Sequence, residues 1–111
     1  IGGRMGGDCI GSDLVRISTG VDLVRCAVQI ALGEAPDLAQ KDHGGAAAVR
    51  FICGPRDLER LEQLKRQAPE LVYFCSPLQP FDHEVTDSAA RFGYYILKGG
   101  TAERLAAFLE E

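Results

Sequence analysis

Residues 46–111 alternate between β-type and helix-type segments, and this alternation constrains the fold more than any other feature of the chain. Segments rich in β-branched and aromatic residues predict three strands, at 46–53, 71–75 and 91–98. Amphipathic patterns predict two helices, one over 57–67 capped by Asp57 and one over 102–109 capped by Thr101. The order β-α-β-β-α predicts an α+β fold, a small open-faced sandwich with a split-βαβ arrangement and an antiparallel or mixed sheet.

A polar segment at 34–45 separates this pattern from the first third of the chain. It contains Pro36 and the pair Gly44-Gly45, and it shows no apolar periodicity. A chain of 111 residues can form one compact domain, or a small domain with an appended segment. We therefore divide the chain into three parts: an N-terminal part at 1–35, a linker at 36–45 and a small α+β domain at 46–111.

The N-terminal part is predicted to be helical after its first eleven residues. Residues 12–18 have the pattern of one or two helical turns, and 21–32 predict a longer helix that Gly33 ends. Thr19, with Asp22 three positions later, is similar to a capping box at the start of this helix. Because apolar residues lie on two faces of 21–32, we expect this helix to be buried between layers.

Charge and composition argue against several classes of function. The net charge of −4 and the lack of a basic cluster argue against nucleic acid as a partner. No apolar segment approaches the ~20 residues that a membrane-spanning helix needs. The four cysteines include no CxxC pair, so a zinc site is not expected, and two disulfides are the alternative in a secreted protein. Since Cys26 and Cys53 lie in apolar runs, we expect buried free thiols and a cytoplasmic protein.

The first eleven residues contain five glycines around a single arginine, Arg4. The guanidinium group offers a planar fork of donors that suits a carboxylate or a phosphate. Flanking glycines can present backbone N–H groups to the same anion. The pattern is typical of an anion-binding loop, and it is equally typical of a flexible terminus.

Other residues have weaker functional signals. His83 lies among Asp82, Glu84 and Asp87, a pattern that could form a metal or acid–base site but is more often solvated. Arg50 and Arg91 each interrupt an apolar strand. Each could pair with Glu or Asp across strands or could face another part of a larger protein, and we expect the structural ion pair. The three tyrosines of the predicted strands, Tyr73, Tyr94 and Tyr95, are expected to be packing residues.

Three sequence runs follow one another in the N-terminal part: Ile1-Gly2-Gly3-Arg4-Met5-Gly6-Gly7-Asp8, Ser18-Thr19-Gly20-Val21-Asp22-Leu23 and Ile30-Ala31-Leu32-Gly33-Glu34. In this order they resemble the end of the ATP-grasp fold in carboxylate–amine ligases of the L-amino-acid-ligase-like group. In that group a strand carrying Glu-hydrophobic-Asn-x-Arg is followed by Gly-Gly, and the next helix commonly ends in Ala-Leu-Gly-Glu. Residues 46–111 resemble the small C-terminal domain of the group, notably in Asp87-Ser88-Ala89-Ala90-Arg91-Phe92-Gly93-Tyr94.

The resemblance implies roles for four residues. Arg4 matches the arginine that contacts the substrate carboxylate or acyl-phosphate, which makes it the implied catalytic residue. Gly6, Gly7 and Asp8 match the loop that shapes the acceptor pocket, so they are implied to bind substrate together with Arg4. The group's metal-binding Glu would precede Ile1, and glycine stands at position 2 where its Asn partner would be.

The departures lead us to expect the C-terminal part of a longer enzyme, with no metal ligand and no ATP or Mg²⁺ bound by itself. In the parent enzyme, the resemblance implies that ATP phosphorylates a carboxylate and that an amine attacks the acyl-phosphate, releasing ADP and phosphate. The implied partners are the rest of the ATP-grasp chain and small carboxylate and amine substrates. Apolar surface that the rest of the enzyme would cover also predicts self-association into a homo-oligomer. The alternative is a freestanding ferredoxin-like interaction or effector-binding module with a flexible glycine-rich arm.

Overall fold

The computed structural model describes residues 4–41 and 45–109. The N-terminal part contains a π-helical turn and two helices: Ile10–Leu14, α1 (Val15–Thr19) and α2 (Leu23–Ala31). The remainder contains three strands and two helices: β1 (Ala46–Ile52), α3 (Pro55–Gln67), β2 (Val72–Cys75), β3 (Gly93–Gly99) and α4 (Ala102–Leu109). Short 3₁₀ turns, Pro69–Leu71 and Ser88–Ala90, precede β2 and β3. The α+β class and the order β-α-β-β-α are confirmed.

The three strands form one antiparallel sheet in the order β1-β3-β2, with β3 in the centre. The pairing of β1 with β3 is continuous, from Ala46 opposite Gly99 to Ile52 opposite Gly93. The pairing of β2 with β3 contains one register shift. Because β1 and β2 both run antiparallel to β3, they are parallel to each other, and α3 is the crossover that leaves a gap for β3. This is the predicted split-βαβ arrangement.

The main hydrophobic core lies between the sheet and the helices α3 and α4, both of which contact β1. It contains nine buried residues: Ile52, Leu61, Leu64, Ala68, Leu71, Phe92, Tyr95, Leu97 and Leu105. Side chains alternate along a strand, so Leu97 faces this core and its neighbour Ile96 faces the other side of the sheet. Ile96 is nevertheless only 1% exposed. On that side α1 and the π-helical turn contact β1, so the N-terminal part covers some of the second face.

The structure corrects two of the predicted helix caps. Asp22, and not Thr19, caps α2, because its Oδ1 accepts a hydrogen bond from the Arg25 N–H at 3.0 Å. The Thr19 hydroxyl instead donates to the Val15 carbonyl at 2.6 Å, since Thr19 is the last residue of α1. Asp57 lies inside α3, which begins at Pro55, and its carboxylate accepts from the Cys53 N–H at 2.9 Å.

The expected cap of the last helix is confirmed. The Thr101 Oγ1 accepts a hydrogen bond from the Arg104 N–H at 3.2 Å, at the start of α4. The end of α2 also agrees with the sequence, because Gly33 follows it with a φ of 75°, a conformation that favours glycine.

Helix α2 is not buried between layers as predicted. Of its residues only Cys26 is buried, whereas Val28 is 54% exposed and Ile30 is 62% exposed. The apolar side chains of α2 cover most of its surface, but the described residues, 4–41 and 45–109, pack against only a small part of that surface. In these same residues no helix is long and apolar enough to cross a membrane.

Candidate functional site

The glycine-rich loop is a compact turn that packs on itself from Arg4 onward. The Ile10 N–H donates to the Gly7 carbonyl at 3.0 Å, which closes the turn before the π-helical segment. A Cβ added at Gly6 would lie 2.8 Å from Ile10 Cγ2, and one added at Gly11 would lie 2.9 Å from Met5 Cβ. Two of the glycines are therefore required by close packing within the loop.

Two non-glycine residues in this loop have left-handed backbone conformations, Asp8 with φ 41° and Cys9 with φ 66°. Such conformations are unfavourable for residues with a Cβ, although aspartate tolerates them better than most. They persist only where the surrounding structure holds them in place.

Arg91, next to strand β3, holds the loop against the sheet. Its Nη1 lies 3.2 Å from Asp8 Oδ2, and its guanidinium carbon lies 3.7 Å from the centroid of the Phe51 ring. Arg91 thus makes the structural ion pair that we expected, although its partner belongs to the loop and not to a neighbouring strand. The contact connects residues 83 positions apart in the sequence.

A second contact between the loop and β3 joins Cys9 and Tyr94, which share a side-chain hydrogen bond. Burial raises the pKa of the Cys9 thiol, the hydrogen bond from Tyr94 lowers it, and the nearby Asp13 and Asp8 raise it again. The net direction is upward, so the thiol is held in its neutral form. This direction disfavours the thiolate, which is the nucleophilic form of cysteine.

The four residues implied to form the site lie within this one turn, but they are not equivalent. The carboxylate of Asp8 is paired with Arg91, so it is held by the sheet. Gly6 packs against Ile10, while a Cβ at Gly7 would have no atom within 4 Å. Arg4 is exposed, and its Nη1 donates to the carbonyl of the adjacent Met5 at 3.0 Å. Residues 1–3, including Gly2, lie outside the described residues.

The backbone of the loop provides further donors beside Arg4. Within the described part of the chain, the N–H groups of Gly6 and Gly7 donate to no acceptor. Both glycines are exposed to solvent. The loop therefore presents one guanidinium group and two N–H groups that could bind an anion.

His83 has a structural role in the loop between β2 and β3. Its Nδ1 lies 2.7 Å from Asp82 Oδ1, and its Nε2 lies 2.7 Å from the Ala90 carbonyl. Both nitrogens can donate only when the ring is protonated, so these two hydrogen bonds raise the pKa of His83. The part of the chain that the structure describes contains no group of three His, Cys, Asp or Glu residues able to hold a metal ion. His43, the other histidine, lies outside the described residues.

The remaining candidates from the sequence are structural, with three departures from expectation, the first being that Arg50 donates to a backbone carbonyl rather than to a carboxylate. Arg50 donates a hydrogen bond to the Leu109 carbonyl, and Tyr95 is buried in the main core. Tyr73, expected to be a packing residue, is 50% exposed. All four cysteines are free thiols, but of the two expected to be buried only Cys26 is, and Cys53 is exposed.

A polar cavity of about 460 Å³ is a feature that the sequence did not indicate. It is lined by six charged residues from separate parts of the chain: Arg16, Asp22, Arg25, Asp37, Lys41 and Lys98. No residue of the glycine-rich loop lines it. No local spacing could have found it, because the fold alone brings these residues together.

Comparison with known proteins finds no relative of this chain. No model of a protein family, no curated protein and no solved structure matches the chain. Any function must therefore be argued from the sequence runs and from the geometry of the loop.

Proposed function

We propose that the chain is the C-terminal part of an ATP-dependent carboxylate–amine ligase of the ATP-grasp type. In this proposal residues 1–35 end the catalytic fold, 36–45 are a linker and 46–111 form a small C-terminal domain. The setting is cytoplasmic, in keeping with the four free thiols. The sequence runs around Arg4, Thr19 and Gly33 support the assignment, as does the small α+β fold that follows them.

The observation that carries the proposal is the way the loop presents Arg4. The Arg4 side chain is solvent-exposed, beside two glycines whose N–H groups lack acceptors in the described chain. The loop is fixed on one side by the Asp8–Arg91 pair and internally by the contact of Gly6 with Ile10. An exposed cation on a turn whose backbone is fixed in this way is suited to contact an anionic substrate.

In the proposed reaction ATP phosphorylates a carboxylate, and an amine then attacks the acyl-phosphate, with release of ADP and phosphate. Negative charge develops on the reacting oxygens in both steps. Arg4 would bind the carboxylate through its fork of donors and stabilise that charge, and the N–H groups of Gly6 and Gly7 would be further donors from the same loop. In this way the residues of the chain would orient the carboxylate substrate and compensate its negative charge.

Mg²⁺, which this class of reaction uses, has no site among the residues that the structure describes. Residues 4–41 and 45–109 contain no cluster of His, Cys, Asp or Glu with the arrangement of metal ligands. The proposal therefore assigns Mg²⁺ and the grip on ATP to the rest of the parent enzyme, and no role in metal binding to this chain.

The test is the parent enzyme with Arg4→Ala, assayed by amine-dependent release of ADP. Loss of one donor aimed at a reacting oxygen typically lowers kcat by about 10²- to 10³-fold, and we expect a loss of that order. Arg4→Lys should retain charge but not the bidentate geometry, and so should recover only part of the rate. Arg66→Ala, on the exposed side of α3, is the matched control and should be silent. An Arg4→Ala parent enzyme with undiminished amine-dependent turnover would remove Arg4 from the mechanism.

One observation favours the alternative, a freestanding interaction or effector-binding module of ferredoxin-like form. The main core lies between the sheet and the helices α3 and α4 of the same domain, and none of its residues comes from the N-terminal part. The residue encoded before Ile1 separates the two proposals, because the ligase requires a glutamate there. Self-association through the exposed apolar residues of α2 is compatible with both, and light scattering at high protein concentration would detect it.

A further inference from the structure

The polar cavity has walls from several parts of the chain, and no residue of the glycine-rich loop is among them. The helices contribute Arg16 and Arg25, the segment after α2 contributes Lys41, and the strand β3 contributes Lys98. Its volume of about 460 Å³ is in the range that small-molecule sites occupy. Tyr73 adds an aromatic wall, with its ring centroid 5.9 Å from Lys98 Nζ.

The charge of the cavity is opposite to that of the chain. Four cationic side chains and two carboxylates line it, which gives a formal charge of +2, while the whole chain has a net charge of −4. The positive charge of the cavity is therefore local, because the chain as a whole is acidic. A concave site lined by one sign of charge concentrates ligands of the opposite sign.

The two carboxylates offset half of the cationic charge, but in the described residues neither forms an ion pair with a cation of the cavity. Asp22 Oδ1 accepts from the Arg25 backbone N–H as the cap of α2, and Asp37 Oδ1 accepts from the Ala39 N–H at 3.2 Å. Within residues 4–41 and 45–109 the side chains of Arg16, Arg25 and Lys41 have no ion-pair or hydrogen-bond partner. In the same residues the Lys98 ammonium group has no ion pair, and it lies 5.9 Å from the centroid of the Tyr73 ring.

We propose that this cavity binds a small anion with two or more negative charges, either an organic phosphate or a polycarboxylate. The four cations provide the charge, and their origin in separate elements means that only the folded chain assembles the site. The proposal does not depend on the ligase reaction, because Arg4 and the glycine-rich loop are not among the cavity's walls.

The test is a titration of the ¹⁵N-labelled 111-residue chain followed by its amide NMR spectrum. Sodium pyrophosphate represents the phosphate class and trisodium citrate the polycarboxylate class, each added at constant ionic strength. We expect saturable shifts at Gly20, Arg25, Ala39 and Lys98 with at least one of the two anions. The anion that saturates at the lower concentration identifies the class.

Variants at the cavity separate specific binding from general screening. Removing one partly exposed cation should weaken binding about two- to fivefold, and the pair Arg25→Gln with Lys98→Gln should weaken it about tenfold. The matched control is Lys65→Gln with Arg66→Gln on α3, which removes the same charge elsewhere and should not change the affinity. The side chains replaced in the two variants, Arg25, Lys98, Lys65 and Arg66, are all exposed. Both variants should therefore fold, and their spectra without anion should match the wild-type spectrum away from the substituted positions.

Three results would overturn the proposal. The first is no saturable shift with either anion, and the second is an equal loss of affinity in the control pair. The third is saturable shifts confined to Gly6 and Gly7, which would place the anion on the glycine-rich loop and would speak for the ligase proposal instead.

Discussion

Replacing Gly6 with alanine should destabilise the chain, whereas the same change at the adjacent Gly7 should not. The added methyl group at position 6 would lie 2.8 Å from Ile10 Cγ2 and 3.0 Å from Ile10 Cβ. The second atom is attached to the backbone, so a rotation of the Ile10 side chain cannot relieve the contact. At position 7 the methyl group would have no atom within 4 Å.

The size of the effect follows from two opposing contributions. Forcing a methyl group into a packed position costs about 1–3 kcal/mol. Removing a glycine from the unfolded chain, at a φ that alanine can adopt, stabilises by about 0.4–1 kcal/mol. Neither Gly6 nor Gly7 has a positive φ, so the second contribution is common to both variants. The difference between the two free energies of unfolding should therefore be about 1–3 kcal/mol, with Gly7→Ala the more stable.

Urea unfolding of both variants, followed by circular dichroism, measures this difference from the transition midpoints. The double variant Gly6→Ala with Ile10→Ala removes the closest atom, Cγ2, and should recover part of the loss of Gly6→Ala, measured against Ile10→Ala alone. Equal midpoints for Gly6→Ala and Gly7→Ala would refute the reasoning, because they would mean that Gly6 does not pack against Ile10. A lower stability for Gly7→Ala would do so as well.

Two further predictions concern contacts that fix the loops. In a double-mutant cycle, Asp8→Asn and Arg91→Ala should show a coupling of no more than about 1 kcal/mol, since both partners are partly exposed. Arg91→Ala alone should cost more than Asp8→Asn, because it also removes the contact with Phe51, and equal costs would contradict that contact. The pKa of His83, measured by NMR, should lie above its usual 6.5 and fall in Asp82→Asn. Because the pKa of His83 is raised in the folded state, the stabilisation by its protonated ring should be complete below about pH 6.5 and lost as the pH rises through the folded-state pKa. A His83 pKa at its usual value would contradict both hydrogen bonds.

The strands and helices of residues 46–109 could be predicted because each depends on a local pattern. β1 needs only its run of β-formers, and α3 needs only its stripe of leucines. The caps were predicted less well, since a cap depends on a choice between neighbouring side chains. Thr19 has the right type for the cap of α2, but it ends α1 and hydrogen-bonds backward to Val15, so Asp22 caps α2 instead.

Burial and long-range pairing could not be predicted from local patterns. The apolar residues of α2 have the spacing of a buried helix, but whether a layer covers them depends on the rest of the fold. Arg91 was expected to find an acidic partner, yet nothing near it in the sequence indicates Asp8, 83 positions away. The polar cavity could not be predicted for the same reason, because its charged walls come from α1, α2, the segment after α2 and β3.

The contacts of the glycine-rich loop bear on what the α+β domain contributes to the proposed enzyme. The left-handed conformation of Asp8 is unfavourable by itself, and Arg91 holds that residue from a position stacked on Phe51 of β1. The next residue, Cys9, is hydrogen-bonded to Tyr94 of β3. The shape of the loop that carries Arg4 therefore depends on the sheet. Under the proposed function, the small domain would act on the reaction through the geometry of this loop. Substitutions at Arg91 in the parent enzyme should then lower kcat through the position of Arg4, without any contact between Arg91 and substrate.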